Sequence, residues 1–178
     1  MHKTTREWTF HFSGDVNLEN LISLTQWIEK KSETDRRKWM SVMITSGGGL
    51  ASFCFAFVDY FAIIRRVQRL QTVAMGEANS MATMLFVLGN RRVITKRSTL
   101  YLHEMTNWFG ENTSWSTSEM HRVLSHLEYQ EKIYSEFIAE RSGKKLSPGD
   151  VLEMMRRETR IHPMQALEYG LAHEILRE

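Results

Sequence analysis

The chain has 178 residues, of which 42% are apolar and 25% charged, proportions typical of a globular protein. Its net charge of +2, with no basic stripe interleaved with aromatic residues, argues against nucleic-acid binding, and its single cysteine excludes an intrachain disulfide or a cysteine-rich metal site. No apolar run approaches the roughly 20 residues that span a bilayer, and the polar N-terminus is unlike a secretory signal, so we expect a cytoplasmic protein with no membrane association.

The first part of the chain alternates between strand-like and helical patterns. Strands are predicted over residues 8–12, 40–44 and 72–75, helices over residues 18–31 and 51–70, and a charged, solvated connection over residues 30–38. Cys54 lies in an apolar helical run, which favours a place in the core.

Three glycines follow the second predicted strand, in Ser46-Gly47-Gly48-Gly49. Glycine lets the backbone adopt conformations closed to other residues and approach a ligand closely, so these N–H groups could face an oxyanion. A permissive strand-to-helix turn explains the glycines at least as well on its own. A phosphate-binding loop fits poorly, because no Gly-Lys-Ser/Thr follows.

Ser80 comes after the third predicted strand, in the segment Gly76-Glu77-Ala78-Asn79-Ser80-Met81-Ala82. The apolar run over residues 81–88 predicts a helix that begins at this serine. Unpaired N–H groups and a positive dipole end favour negative charge on a substrate oxygen there. Taken alone, an ordinary helix N-cap serine is the commoner explanation.

Two further strands are predicted over residues 92–94 and 99–102, and His103 ends the second of them. Histidine is the usual general base for a serine nucleophile near neutral pH. The alternation of strands and helices up to this point predicts βαβ units and a mainly parallel sheet.

From Ser116 onward the pattern is helical, and Ser116 with Glu119 has the spacing of a capping box. One helix face is apolar, which is typical either of core or of a subunit interface: Met120, Val123, Leu124, Leu127, Tyr134, Phe137 and Ile138. The aromatic residues just before this helix, Trp108, Phe109 and Trp115, are candidates for an interface. Ser142-Gly143 should end the helix, and two more helices are predicted over residues 147–157 and 163–169.

Glu158 lies between these last two helices, in Arg157-Glu158-Thr159-Arg160. A carboxylate could orient a catalytic histidine and stabilise its cationic form. Viewed in isolation, Glu158 is only a surface charge.

Together and in this order, these segments resemble the proteolytic subunit of the Clp protease. The family's Ser-Pro-Gly-Gly turn is matched at Ser46 to Gly49, its Gly-x-Ala-x-Ser-Met-Ala nucleophile segment at Gly76 to Ala82, and its strand-closing histidine at His103. The family acid lies eight positions before the alanine of a Glu-Ala-x-Glu-Tyr-Gly-Leu segment, which here gives Glu158.

The resemblance implies a single peptidase domain over residues 1–178 with a crotonase-like β-α superhelix, an α/β fold, and a protruding handle helix within about residues 104–142. It implies a catalytic triad of Ser80, His103 and Glu158, with the backbone N–H groups of Met81 and of Gly48 or Gly49 as the oxyanion hole. No metal or organic cofactor is expected.

The same resemblance implies peptide or unfolded-protein substrates and a homo-oligomeric ring, a heptamer or double heptamer joined through the handle helices. Any protein unfolding would need a separate AAA+ ATPase partner, because this sequence has no Walker motif. Few residues precede Trp8, so we expect weak gating loops and small-peptide cleavage without ATP.

Two departures from the family pattern stand at the predicted site: Gly47 replaces a proline, and Glu158 replaces the usual aspartate. A catalytically weak or inactive ring subunit therefore stays an alternative. A crotonase-type acyl-CoA enzyme is a second one, although the Ser-Met-Ala segment and His103 argue against it.

Overall fold

The computed structural model describes residues 8–34, 38–64, 69–107 and 114–176, except for the side chain of Ile64. In chain order, the elements are β1 (Thr9–Ser13), α1 (Leu18–Thr34), β2 (Met40–Ser46), α2 (Ala51–Ile64), β3 (Leu70–Ala78), α3 (Met81–Val87), β4 (Arg91–Thr95), β5 (Leu100–Leu102), α4 (Thr117–Arg141), α5 (Pro148–Arg156), β6 (Thr159–Ile161), α6 (Pro163–Glu168) and β7 (Glu174–Leu176).

Five strands form a parallel sheet in the order β1-β2-β3-β4-β7. The carboxyl ends of parallel strands meet at one edge, and in open α/β sheets this edge is where ligands bind. The glycine turn follows β2 and Ser80 follows β3 at this edge. Because β2 and β3 are neighbouring strands, the two segments lie close together at the edge of the sheet.

The core lies between the sheet and the helices. Strand residues such as Ile44, Ala74 and Ile94 are buried, and every residue of the short helix α3 is buried as well. Cys54 is completely buried, as predicted, and burial raises the pKa of its thiol. The mixed α/β class and the parallel sheet predicted from the sequence are confirmed.

Several predicted boundaries were wrong. The second helix was extended to Leu70, but α2 ends at Ile64 and Leu70 begins β3, which continues through Gly76 to Ala78. The connection over residues 30–38 is helical up to Thr34. At Leu70 the apolar composition misled, because apolar residues suit a buried helix and a buried strand equally well. At residues 30–34 the charged composition suggested a loop, although charged residues also suit the exposed end of a helix.

Two short strands were not predicted at all. β6 lies between the last two helices and pairs antiparallel with β5, whereas β7 adds to the edge of the main sheet. Each has three residues, too few to show a periodic pattern.

The predicted capping box of Ser116 and Glu119 is present at the start of α4. The apolar face of α4 is covered only in its second half. Tyr134 and Ile138 are buried, while Met120 and Leu124 are each 52% exposed. Trp115 is 37% exposed, and Trp108 and Phe109 lie outside the described residues.

No helix in the described ranges has the length and apolarity needed to cross a membrane.

The buried Arg92 of β4 and the half-buried Arg141 bond to the ends of two helices. Arg141 donates to the main-chain oxygens of Val87, Leu88 and Gly89 at the end of α3. Arg92 donates to the Arg141 carbonyl at the end of α4 at 2.7 Å and contacts the imidazole of His173 at 2.5 Å. Cations at helix C-termini satisfy carbonyls that have no partner within the helix.

His173 faces hydrogen-bond donors at both ring nitrogens, because the Arg92 N–H also donates to its Nδ1 at 3.2 Å. Partial burial and then the charges of Arg92 and Arg141 lower the pKa of His173. The folded protein disfavours the protonated ring. The stability that the neutral His173 contributes is therefore fully present above about pH 6.5, the pKa of histidine in the unfolded chain, and is lost as the pH falls further.

We predict that His173→Asp raises the thermal unfolding midpoint, because a carboxylate accepts hydrogen bonds from Arg92 without needing to be neutral. The gain should be about 1 kcal/mol at pH 7 for such a partly exposed pair. It should widen at pH 5.5, because the unfolded wild-type chain binds a proton at this histidine that the folded protein disfavours, whereas the aspartate stays ionised. Thermal melts at both pH values measure it, with His173→Asn as the uncharged control; equal midpoints for the aspartate and asparagine variants would contradict the account.

Candidate active site

Ser80 occupies a strained junction between β3 and α3. Its φ is 51° and its ψ −125°, a conformation that costs a residue other than glycine on the order of 1–3 kcal/mol. The hydroxyl makes no cap hydrogen bond to the helix, so the ordinary N-cap interpretation is wrong for this serine. A serine on a strained strand-to-helix turn is the geometry that exposes a nucleophile in other hydrolases.

Three hydrogen bonds fix the backbone at this junction. The Ser80 N–H donates to the Tyr101 carbonyl of β5 at 2.7 Å. The Ser80 carbonyl accepts from the Thr83 N–H at 2.9 Å and from the buried Tyr134 hydroxyl of α4 at 3.1 Å. Because β5, α3 and α4 all contribute, the strain is held by the surrounding fold.

Gly48 lies directly against the serine. A Cβ atom at this position would lie 2.6 Å from the Ser80 Cβ and 2.9 Å from the Asn79 carbonyl oxygen. Its φ of 111° also favours glycine. Gly47 is different, because a Cβ there would meet nothing within 4 Å.

Of the three glycine N–H groups in the turn, only that of Gly48 donates a hydrogen bond within the described residues. The Gly48 N–H donates to the Ser46 hydroxyl at 3.1 Å. Gly49 forms a parallel bridge with Val16, but both bonds of this bridge belong to its neighbours: Val16 N–H donates to the Gly48 carbonyl and Leu50 N–H to the Val16 carbonyl. Gly49 therefore keeps its own N–H, which makes it the stronger oxyanion candidate of the two.

The N–H of Met81 is the second candidate oxyanion donor. Met81 is the first residue of α3, where an N–H has no partner within the helix. The next two N–H groups, of Ala82 and Thr83, donate to the carbonyls of Asn79 and Ser80.

Ser80 and His103 line one cavity of about 360 Å³, and Gly49 lies on its wall. Its opposite wall is the first half of α4, with Arg122, His126 and Gln130, and none of the described lining residues is a carboxylate. A larger groove of about 610 Å³ surrounds the Arg92 and Arg141 caps but contains neither Ser80 nor His103.

The half-buried His103 has a defined tautomer. Its Nδ1 lies 2.6 Å from the main-chain oxygen of Glu104, and a carbonyl can only accept. Nδ1 therefore carries the proton, and Nε2 is left with the lone pair that a general base requires. Within the described residues, no hydrogen bond joins His103 to Ser80. In serine hydrolases the hydrogen bond between base and nucleophile often forms only when substrate binds.

Glu158 approaches His103 without contacting it through a hydrogen bond. The β5–β6 ladder pairs Tyr101 with Arg160 and Leu102 with Thr159, and His103 and Glu158 are the next residues beyond its end. Glu158 is exposed, has a φ of 49°, and accepts a hydrogen bond from the Tyr101 hydroxyl at 3.1 Å. The three predicted triad residues therefore lie in one region, but no chain of hydrogen bonds among the described residues connects them.

Tyr101 is the residue that sequence reasoning missed. Its ring stacks on the His103 ring at a centroid distance of 5.4 Å and an interplanar angle of 29°. The only signal was its place two residues before His103, which puts both side chains on the same strand face.

The family model for Clp protease matches residues 14–178, so the chain belongs to the Clp protease family. One relative is the ATP-dependent Clp protease proteolytic subunit 1 of Shouchella clausii, 29% identical over 168 residues, which cover 93% of this chain and 83% of the relative. Another is the ATP-dependent Clp protease proteolytic subunit of Dehalococcoides mccartyi, 26% identical over 146 residues, which cover 81% of this chain and 69% of the relative. The resemblance deduced from the motifs is thereby confirmed.

The closeness of Gly48 to Ser80 generates a prediction. Gly48→Ala should lower kcat/KM for a fluorogenic peptide about 100-fold, the typical cost of displacing a catalytic group by about 1 Å. Gly47→Ala, one residue away in open space, is the matched control and should retain nearly full activity. Thermal melts establish that both variants are folded; equal activity of the two would show that the close approach has no catalytic consequence.

Proposed function

We propose that the protein is a serine endopeptidase of the Clp type, with Ser80 as nucleophile and His103 as general base. The observation that carries the proposal is the strained Ser80, which shares a cavity with a histidine whose Nε2 is free to accept a proton. The family match and the names of the relatives support the same class.

The reaction begins with the Ser80 hydroxyl, which attacks the scissile carbonyl while Nε2 of His103 takes its proton. The oxyanion that forms receives hydrogen bonds from the N–H groups of Met81 and Gly49, with Gly48 shaping the turn beside them. The C–N bond then breaks, and the imidazolium gives its proton to the leaving amine. Water attacks the acyl-enzyme by the same proton transfers and restores Ser80.

Glu158 is the third member in this proposal. Its part is to favour the oriented, cationic form of His103, since the Nδ1 proton is already held by the Glu104 carbonyl. A carbonyl fixes the tautomer but supplies no full negative charge, and that charge is what a carboxylate adds.

We predict that Ser80→Ala abolishes peptide hydrolysis with folding intact. Ser52→Ala is the matched control, because Ser52 lines the same cavity and should be dispensable. Initial rates with a fluorogenic peptide measure both. Activity retained by purified Ser80→Ala would end the serine-peptidase proposal, and a folded wild-type protein with no activity would favour the inactive ring subunit.

We also propose that the chain forms a closed ring, a heptamer, and that two rings stack through α4. The support is the exposed apolar side chains of Met120, Leu124 and Tyr129 on a helix whose second half is packed in the core. An enclosed chamber would restrict substrates to peptides and unfolded chains, with a separate ATPase supplying unfolded proteins.

Native mass spectrometry at micromolar concentration should therefore show a heptamer or double heptamer. Leu124→Asp should separate the rings, because it places a charge on a surface that would be buried. Ser125→Asp adds the same charge at an exposed polar position of α4 and should not separate them. A stable wild-type monomer that cleaves peptides would contradict the chamber.

A further inference from the structure

Four side chains form a connected group on the two-stranded β5–β6 sheet. Tyr101 contacts the other three: its ring stacks on His103, its hydroxyl donates to Glu158, and the Arg160 guanidinium lies 4.4 Å from its ring centroid. Tyr101 and Arg160 are direct cross-strand partners, and His103 lies two residues along the same strand. The pairing of β5 with β6 brings all four together.

We infer that Tyr101 is a positioning residue for His103, and that Glu158 acts on the imidazole through the Tyr101 ring instead of by direct contact. This inference rests on the proposed serine-peptidase function, in which His103 is the general base.

Among the described residues, Tyr101 is the side chain shown to contact both Glu158 and His103. The Glu158 oxygen nearest to the group lies 3.1 Å from the Tyr101 hydroxyl. Among the described residues no hydrogen bond joins Glu158 to His103, whose Nδ1 is instead bonded to Glu104. Tyr101 contacts both groups, so it provides a path of direct contacts from Glu158 to the imidazole.

Stacking on an aromatic face performs two tasks for a histidine base. It fixes the plane of the imidazole, and it stabilises the imidazolium, because the face of an aromatic ring carries partial negative charge. The hydrogen bond from Tyr101 to the Glu158 carboxylate holds the ring in place and adds electron density to it. Arg160 packs on the same ring as the cross-strand neighbour.

Tyr101 does not line the cavity in which substrate would lie, although His103 does. A change at Tyr101 should therefore alter kcat and leave KM nearly unchanged. A residue of the substrate pocket would alter KM as well.

The test is a double-mutant cycle of Tyr101→Phe and Glu158→Gln, measured as kcat and KM with a fluorogenic peptide. Tyr101→Phe keeps the ring and removes the hydroxyl, and it should lower kcat about fivefold, the typical effect of one hydrogen bond. Glu158→Gln should cost a similar factor, far less than Ser80→Ala. In the Tyr101→Phe background, Glu158→Gln should have no further effect, because the link is already broken.

Tyr101→Leu removes the ring and should lower kcat more than Tyr101→Phe does. It should also move the acidic limb of the kcat/KM pH profile to lower pH, because a group that favours the imidazolium is gone. The other charged groups that face His103 are Glu104 on its own strand end, Arg160 across the ladder, and Arg122 and His126 across the cavity. None of these is changed in the variants, so the shift reports on Tyr101.

Equal and independent losses from Glu158→Gln in both backgrounds would overturn the inference, since Glu158 would then act on His103 directly. A gain in kcat for Tyr101→Phe would overturn it as well, because the tyrosine would then be holding the carboxylate away from the histidine. If Tyr101→Leu does not fold, the isosteric Tyr101→Phe cycle decides alone.

Failure of the proposed function has a separate signature. A wild-type protein that neither hydrolyses peptides nor reacts at Ser80 with a fluorophosphonate would reject the peptidase, and this inference with it. Wild-type activity with an additive cycle would reject only the role of Tyr101.

Discussion

The conformation of Ser80 is the constraint on which the site depends. A positive φ at a serine is unfavourable, and it persists here because β5, α3 and α4 each hold one backbone group of the junction. The same turn brings the serine so close to Gly48 that a methyl group there would overlap it. Ser80 and the glycine turn are therefore one structural unit, built where the adjacent strands β2 and β3 end.

The parts of this unit that follow strong local patterns were predictable from the sequence. Strand, glycine turn and buried helix alternate clearly around Gly48 and Ser80, and His103 follows an apolar strand. The sequence could not show that the Ser80 hydroxyl makes no cap bond, or that Gly48 uses its N–H on Ser46 while Gly49 keeps its own. These facts depend on backbone geometry and on long-range pairing, neither of which leaves a periodic signal.

Glu158 shows most clearly how far the site could be predicted from the sequence. Motif spacing led to the residue, but the short strand that follows it escaped prediction, and with it the reason why the acid comes close to His103. The antiparallel ladder of β5 and β6 ends one residue short of both His103 and Glu158, and the carboxylate accepts a hydrogen bond from Tyr101 instead of from the histidine. A tyrosine two positions before the histidine looks unremarkable in the sequence, because its importance comes entirely from a strand paired from about 60 residues further along the chain.

Ser80 is proposed here to be a nucleophile that His103 activates. Reaction with a fluorophosphonate, followed by intact-mass measurement and peptide mapping, tests it most directly because the adduct records which serine attacked. The account predicts one adduct per chain, located on Ser80 and formed much more slowly in a His103→Ala variant. An adduct on another serine, or labelling of Ser80 at the same rate without His103, would contradict it.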